Sequence, residues 1–196
     1  MFFAALILAA GLSKRMGKNK MLVDADGMPM VRRVFENVRQ SDVDKIFVVT
    51  GSMAEAVESA LAGCDYNAVF NERYKKGMGT SISAGVKYIS SCSYDALLIF
   101  HGDMPFVKLE TVNILINSYK QTKSKIIAPF YKNKRGHPVL FDRSFFPALT
   151  RLDGDFGAKK ILEQNRSDML SVNIDDPGIL IDIDNEFFKN LYCNPI

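Results

Sequence analysis

Short apolar runs alternate along the chain with stretches in which apolar residues recur every three or four positions. The runs at residues 3–9, 45–50 and 96–100 have the length of buried strands. At residues 29–40, by contrast, the apolar positions fall on one face of a helix, with Pro29 in its first turn. Strands that alternate with amphipathic helices predict an α/β protein whose mostly parallel sheet is covered by helices on both faces.

The predicted elements follow one another without a repeat, a low-complexity segment or a linker. We expect strands at residues 3–9, 45–50, 66–70, 96–100, 126–129, 138–141, 169–174 and 178–183. We expect helices at residues 29–40 and 53–62, in a stretch that ends near residue 90, from about residue 144, and at residues 156–164 and 186–191. Residues 1–196 are therefore expected to form one domain, in which the rhythm changes near residue 126 and a second subregion covers the edge of the sheet.

Composition narrows the class of protein. A chain of 196 residues with 47% hydrophobic and 24% charged residues suits one globular domain. The apolar N-terminal run lacks a basic segment before it and is much shorter than the roughly 20 residues of a membrane span, so we expect a strand rather than a signal peptide or a membrane segment. Three cysteines without metal-ligand spacing favour a reducing, cytoplasmic location. A net charge of +3 without a long basic stripe argues against nucleic acid as the main partner.

The loop after the first predicted strand carries the strongest chemical signal. It begins with the small residues Ala10 and Gly11, and four cations, a serine and a second glycine follow within residues 12–20. Backbone N–H groups and positive charge in such a loop are typical of phosphate binding. The spacing matches neither a Walker A loop, since Asn19 stands where Ser or Thr would bind magnesium, nor the Gly-x-Gly-x-x-Gly fingerprint. An ordinary solvated basic turn remains the alternative.

Other candidates follow later strands at their carboxyl ends, where open parallel sheets bind ligands. Gly11, Gly51, Asn71 and Asp103 should therefore line one edge. Asn71, with the glycines of residues 71–79, could read a base or a ribose, whereas Thr80 and its neighbour Ser81 could instead cap the next helix.

Carboxylates after the strands suggest a divalent cation. Asp103 follows a buried run and suits magnesium, although it could instead cap the helix after Lys108. Asp182 and Asp184 lie two positions apart at a predicted strand end, where they would point to the same side and either could complete the site. Exposed acids that serve only solubility are the alternative.

The remaining polar candidates are less specific. His137 lies in a predicted hairpin, where a solvated histidine is the default interpretation and a ligand role the alternative. Asp155 is expected to cap the helix at residues 156–164, and Ser52 the helix at residues 53–62. With only two histidines in the chain, no serine or cysteine has a visible partner for covalent catalysis.

Several of these stretches together resemble a known family. Residues 9–20 read Ala-Ala-Gly-x-Ser-x-Arg-Met-Gly-x-x-Lys, which is similar to the opening motif of the MobA-like nucleotidyltransferases. The further stretches at residues 71–85, 102–105, 136–141, 154–158 and 182–184 resemble, in combination, the molybdenum cofactor cytidylyltransferases, the MocA-like proteins.

The resemblance implies a Rossmann-like three-layer sandwich of the nucleotide-diphospho-sugar transferase type. It also implies transfer of CMP from CTP to the terminal phosphate of molybdopterin, with or without molybdenum, with Mg²⁺ as cofactor and pyrophosphate as product. Residues 1–125 would form the nucleotide-binding part and residues 126–196 the acceptor-binding and closing part. A molybdenum hydroxylase or its accessory proteins would be further partners.

Site residues carry over position by position. The resemblance implies nucleotide binding by Leu8, Ala9, Ala10, Gly11, Ser13, Arg15, Gly17, Lys20, Gly51, Asn71, Gly79 and Ser81. It implies catalytic roles for Lys20, Arg15 and Asp103, metal binding by Asp103 with Asp182 or Asp184, and acceptor binding by His137 and Asp155.

Two departures from the family pattern leave alternatives open. Asn-Glu-Phe-Phe follows Asp184 where the family has Thr-Pro-Glu-Asp, and no residue near Thr50 or Gly51 selects cytosine over guanine. The alternatives are therefore the same chemistry with GTP or another phosphate acceptor, or a non-catalytic accessory protein that binds the cofactor for a molybdenum hydroxylase.

Overall fold

The computed structural model describes residues 1–12, 20–25 and 27–183. Its strands are β1 (Phe3–Leu8), β2 (Lys45–Thr50), β3 (Asn67–Phe70), β4 (Ala96–His101), β5 (Ile126–Tyr131), β6 (Lys134–Arg135), β7 (Val139–Asp142) and β8 (Met169–Asn173). Its α-helices in the described part are α1 (Met30–Arg39), α2 (Ala54–Ala60), α3 (Met78–Ser90), α4 (Leu109–Thr122), α5 (Phe146–Leu149) and α6 (Lys159–Gln164). Short 3-10 turns lie at Lys20–Leu22, Tyr74–Lys76, Arg143–Phe145 and Pro177–Leu180.

All eight strands join one mixed sheet. Strands β3, β2, β1 and β4 lie side by side and run parallel. Strand β7 then runs antiparallel between β4 and β5, and β8 pairs parallel with the far edge of β5. Strand β6 also pairs with β5, through a tight turn in which Lys132 and Asn133 both have positive φ angles. The α/β prediction with a mostly parallel sheet is therefore confirmed.

Two apolar layers cover the sheet. Every residue of β1 is buried, as expected for a strand with helices on both sides. One layer contains α1, α2 and α4, and α1 contributes the predicted face of Val31, Val34, Phe35 and Val38. The other layer contains α3, α5 and α6. No helix in the described part of the chain is both long enough and apolar enough to cross a membrane.

Several predicted boundaries and caps are wrong. Helix α2 begins at Ala54 after Met53, which adopts a left-handed conformation, so Ser52 does not cap it. Helix α6 begins at Lys159, with Ala158 rather than Asp155 at the cap position and no capping side chain. In both places the chain turns before the helix by backbone conformation instead of by a side-chain hydrogen bond.

The strand predicted at residues 178–183 is also wrong. Its first half is the 3-10 turn Pro177–Leu180, and no strand follows within the described residues. The Asp176 carboxylate accepts a hydrogen bond from the Gly178 N–H at 2.9 Å, which closes the turn, and Pro177 has no N–H for a ladder. The helix predicted at residues 186–191 lies outside the described residues.

Candidate active site

The carboxyl ends of the four parallel strands form one edge. Gly11, Gly51, Asn71 and Asp103 follow β1, β2, β3 and β4 respectively, as the order of the strands predicts. Because neighbouring parallel strands end at the same edge of a sheet, these four positions lie along the place where α/β proteins bind their ligands.

Small residues let the backbones at this edge approach one another closely. The Gly102 N–H donates to the Leu8 carbonyl at 3.0 Å, which ties the end of β4 to the end of β1. A Cβ atom added at Gly51 would lie 2.6 Å from the Tyr74 Cβ and 3.0 Å from the Ala10 Cβ. Gly11 is different, because it is exposed and a Cβ there would have no atom of the described residues within 4 Å. Among the described residues, nothing covers the backbone at Gly11.

Lys20 and Asp103 form the central ion pair of this edge. The Lys20 Nζ donates directly to the Asp103 Oδ2, and the two side chains are only 16% and 10% exposed. Next to Lys20, the buried Met21 lies under Gly102, where an added Cβ would be 2.8 Å from its Sδ. The turn that carries Lys20 is thus anchored against the loop that carries Asp103.

A second carboxylate approaches Asp103 from the far end of the described chain. The Ile183 N–H donates to the Asp103 carbonyl at 3.0 Å, which places the exposed Asp182 beside Asp103. Both carboxylates act on the neighbouring His101: burial lowers its pKa, and the negative charges of Asp103 and Asp182 oppose that shift. Asp184, the other candidate of the tail, lies outside the described residues, as do Ser13, Arg15 and Gly17.

This pair of acids fits a hard divalent cation that prefers oxygen ligands better than a metal that prefers thiolate or imidazole ligands. No cluster of three or more His, Cys, Asp or Glu side chains suited to a metal occurs in the described part of the chain. Magnesium needs only one or two protein carboxylates, because it keeps several waters and binds substrate phosphates. Asp103 and Asp182 satisfy that requirement.

Asp176, which the sequence did not single out, holds the tail in place. Its side chain is 1% exposed and accepts hydrogen bonds from the Lys108 N–H at 3.0 Å, the Thr111 hydroxyl at 2.6 Å and the Gly178 N–H at 2.9 Å. Asp176 therefore links the start of α4 to the turn that leads to Asp182. It also accepts from the N–H of Lys108, the residue just before α4, and so bonds the start of this helix where Asp103 was considered as a cap. The Asp-Pro-Gly turn signal at residues 176–178 was the only local hint.

The Asn71 side chain is buried and forms hydrogen bonds within the protein. It is 3% exposed, donates to the Thr80 and Ser81 hydroxyls at 2.9 and 3.0 Å, and accepts from the Arg73 N–H at 3.0 Å. Thr80 donates in turn to the Gly77 carbonyl at 2.8 Å and does not cap α3, whose cap position is Gly77 without a side-chain bond. Asn71 and Ser81 thus fix the shape of the loop before α3.

Residues 153–155 dock onto that same loop. The Gly79 N–H donates to the Gly154 carbonyl at 2.8 Å. Gly77 has a φ of 108°, and a Cβ there would lie 2.1 Å from an Asp155 carboxylate oxygen. Only glycines permit this approach, so Asp155 lies against the start of α3 rather than beside His137.

The two histidines of the chain form a pair that is mostly, but not fully, buried. The ring centres of His101 and His137 are 4.1 Å apart, with the rings tilted by 50°. The His137 Nδ1 is buried without a hydrogen-bond partner among the described residues. Burial lowers the pKa of His137 to about 3 and lowers that of His101 as well, so both rings are neutral at neutral pH. The expectation of a solvated hairpin histidine is therefore wrong.

Comparison with known proteins agrees with this geometry. Residues 5–169 match the model of the MobA-like NTP transferase domain. The chain belongs to the MobA-like NTP transferase family. As a family member it is a nucleotidyltransferase, and the family resemblance expected from the sequence is confirmed.

Among its relatives, this MobA-like transferase is 28% identical over 195 residues to the purine catabolism protein PucB of Bacillus subtilis, covering 93% of the chain and 92% of PucB. Its fold matches the crystal structure of Rv0371c from Mycobacterium tuberculosis with a TM-score of 0.85, 25% identity and 99% coverage of both chains. A nucleotidyl transferase from Methanothermobacter shares the fold, with a TM-score of 0.81, 21% identity and coverage of 98% and 96%. The Rossmann-like nucleotidyltransferase fold is thereby confirmed.

Proposed function

We propose that this MobA-like transferase moves CMP from CTP to the terminal phosphate of molybdopterin and releases pyrophosphate. The observation that carries the proposal is the meeting of Lys20 and Asp103 at the open edge of β1 and β4, with Asp182 beside them. Cation and carboxylates from three distant parts of the sequence converge where a metal-bound triphosphate would lie. The MocA-like stretches and the relation to PucB over nearly its full length support the molybdopterin branch of the family.

Mg²⁺ is the proposed cofactor, held by Asp103 with Asp182 or Asp184. Bound there, it would neutralise charge on the triphosphate and on the leaving pyrophosphate. The Rv0371c protein, which is similar in fold, has also been solved in complex with manganese, with a TM-score of 0.83 and 23% identity. A protein of related fold therefore binds a divalent ion.

The protein's own residues position two anions and balance their charge. Lys20 and Arg15 would contact the triphosphate from the first loop, and its phosphates would approach the exposed Gly11 backbone and that of Ala10 before it. The rest of the nucleotide site would be formed by Leu8, Ala9, Ser13, Gly17, Gly51, Gly79, Ser81 and Asn71. An oxygen of the acceptor phosphate bonds to the α-phosphorus while the bond from that phosphorus to the pyrophosphate oxygen breaks.

No strong general base is needed for this reaction. The attacking group is a phosphate monoester, which is already anionic at neutral pH, so catalysis reduces to alignment and charge neutralisation. The histidine pair agrees with this, because His101 and His137 are neutral and mostly buried. His137 and Asp155 are proposed to contact the acceptor, with residues 1–125 serving the nucleotide and residues 126–196 the acceptor.

The product would be a molybdopterin dinucleotide made in the cytoplasm and passed to a molybdenum hydroxylase or its accessory proteins.

Pyrophosphate release tests the proposal directly. The purified protein is incubated with Mg²⁺ and molybdopterin, and CTP, GTP and ATP are compared one at a time in a coupled pyrophosphate assay. We expect release with CTP and molybdopterin together and with neither alone. Release with GTP instead of CTP would show that the nucleotide donor is GTP. Release only with another phosphate compound in place of molybdopterin would show that the acceptor is that compound. Binding of molybdopterin without release under any condition would favour the accessory role.

A further inference from the structure

An open groove of about 410 Å³ lies at the tip of the hairpin formed by β5 and β6, next to the end of β8. Phe130, Tyr131 and Asn133 line it from the hairpin, and Asn173 and Asp175 line it from the end of β8. We call this the hairpin groove. None of the residues proposed above for the nucleotide, the metal or the acceptor lines it.

The hydrogen-bond registers place this groove on the same edge as Asp103. Leu97 of β4, Phe141 of β7, Ile126 of β5 and Met169 of β8 lie on one line across the sheet. Since β4, β5 and β8 run in the same direction from that line, they leave the sheet at one edge. Three strand spacings separate β4 from β8, which amounts to about 14 Å at about 4.8 Å per spacing.

A row of side chains on one face of the sheet leads from Asp103 toward the groove. His101 precedes Asp103 by two positions, and its ring packs against the ring of His137. Phe130 packs against the apolar layer of α3 and lies directly beside Asn173 in the register of β5 and β8. An elongated ligand whose phosphate lies at Asp103 could therefore extend along the row His101, His137, Phe130, Asn173.

The groove offers hydrogen bonds that the protein itself does not use. The side chains of Asn133, Asn173 and Asp175 form no hydrogen bond with any residue in the described part of the chain. The Tyr131 ring supplies an aromatic surface, with the Lys132 ammonium 5.1 Å from its centre. A carboxylate that can accept two N–H bonds, two amides and aromatic rings suit a flat heterocycle with an amidine-like edge.

We propose that the hairpin groove binds the bicyclic pterin end of the acceptor, with Asp175 accepting from its amino-pyrimidinone edge and Asn173 and Asn133 bonding its other polar atoms. The phosphate end of the same molecule reaches Asp103 along the row of His101, His137, Phe130 and Asn173. This assignment rests on the proposed function, because it identifies the substrate group that the distal part of that site recognises.

Steady-state kinetics test the assignment in the active enzyme. Asp175→Asn and Asn173→Ala should each raise KM for molybdopterin by about tenfold, since each removes hydrogen bonds to the ligand. KM for CTP should not change, because both substituted residues lie at the end of β8, which is about 14 Å from β4. Asp168→Asn is the matched control: it alters an exposed carboxylate just before the opposite end of β8, and we expect KM for molybdopterin to stay at the wild-type value.

Pterin binding provides a readout that does not depend on turnover. Neopterin, a fluorescent pterin without the phosphate, is titrated with wild-type protein, Asp175→Asn and Asp168→Asn in the absence of nucleotide. We expect saturable binding by the wild type and the control, and binding about tenfold weaker by Asp175→Asn. Circular dichroism confirms that all three proteins are folded.

The outcomes separate this inference from the proposed function. If the wild type transfers CMP to molybdopterin and the groove variants keep KM for molybdopterin and neopterin affinity unchanged, the groove assignment is overturned and the proposed function stands. If the wild type does not turn over but binds neopterin in a manner that depends on Asp175, the proposed function fails and the groove assignment is supported. If the wild type neither turns over nor binds neopterin, both fail.

Discussion

The two halves of the described chain build their parts of the edge by different means. From β1 to β4, positions are set by a continuous ladder of parallel strands, so Gly11 and Asp103 lie near each other because their strands are neighbours. From β5 to Asp182, strands β5, β7 and β8 also pair in the sheet, but Asp182 itself is held by loops and turns that dock onto one another. We call these two parts of the described chain the ladder half and the docked half. The site positions of the first depend on many ladder bonds, whereas Asp182 in the second depends on a few loop contacts.

Two glycines show how tight the docked half is. A Cβ added at Gly136 would lie 2.5 Å from the Ile179 carbonyl oxygen, and one at Gly178 would lie 2.0 Å from the Phe106 carbonyl oxygen. Real side chains do not approach backbone this closely, so the turn before Asp182 has no room to adjust. We therefore expect the ladder half to be sensitive to changes of chemistry and the docked half to be sensitive to changes of shape.

The largest effect should come from the chemistry of the ladder half. Asp103→Ala should lower the rate of pyrophosphate release by at least about 100-fold, because it removes the buried carboxylate proposed to hold the metal. The fold should remain, as judged by circular dichroism. Asp65→Asn, at an exposed ion pair with Lys45, is the control and should retain wild-type activity. Full activity of Asp103→Ala would show that the reaction does not depend on this carboxylate of the ladder half.

In the docked half, the largest effect on stability should come from Asp176. Asp176→Ala should lower the free energy of unfolding by about 2–4 kcal/mol, since three buried donors lose their acceptor. The shift of the urea unfolding midpoint measures it. Asp168→Ala, which removes an exposed carboxylate, should change stability by less than about 0.5 kcal/mol. Equal midpoints for the two variants would show that the tail does not depend on this contact.

A pair of glycine substitutions compares the halves directly. Gly136→Ala should cost about 1–3 kcal/mol of stability, because its methyl group meets the Ile179 backbone. Gly11→Ala meets no atom of the described residues within 4 Å and should leave stability unchanged, while weakening the proposed binding of CTP at this backbone. Urea unfolding and nucleotide titration of both variants provide the measurements. If Gly11→Ala lost stability and Gly136→Ala did not, the ladder half and not the docked half would be the part that is sensitive to changes of shape.

A smaller effect should appear with pH. Burial lowers the pKa of His137 to about 3 in the folded protein, from an ordinary histidine value of 6.5. Between these values the unfolded chain binds more protons, so this contribution to stability is complete above about pH 6.5 and is lost as the pH falls toward 3, by at most about 1.4 kcal/mol per unit.

His137→Gln isolates that contribution from the titration of the carboxylates. The wild type should lose about 1 kcal/mol more than His137→Gln between pH 7 and pH 5.5, as measured by urea unfolding at both pH values. Parallel pH profiles of the two proteins would mean that His137 is not neutral in its buried position.

Local sequence information accounts for the ladder half well. Strands β1, β2 and β4 and the buried face of α1 were predicted to within a residue or so, because each depends on an apolar run or period that the chain displays locally. The convergence of Gly11 and Asp103 on one edge followed from the expected parallel order.

The same reasoning fails for the docked half, because the residues that fix its structure contact partners that are distant in the sequence. The apolar residues after Pro177 resemble a strand, but the buried Asp176 bonds to Lys108 and Thr111 hold them in a turn. The burial of His137 depends on His101 in another strand. An acid in a turn and a histidine in a hairpin look alike in the sequence whether they are solvated or buried.

The hydrogen bond from Ile183 to the Asp103 carbonyl has a consequence for how the protein is made. A ribosome-bound chain that has emerged only through Asp103 carries Lys20 and Asp103 but has no Asp182 to set beside them. Only when translation has passed Ile183 can the second carboxylate arrive. An incomplete nascent chain would therefore lack one of the two carboxylates proposed to hold the metal.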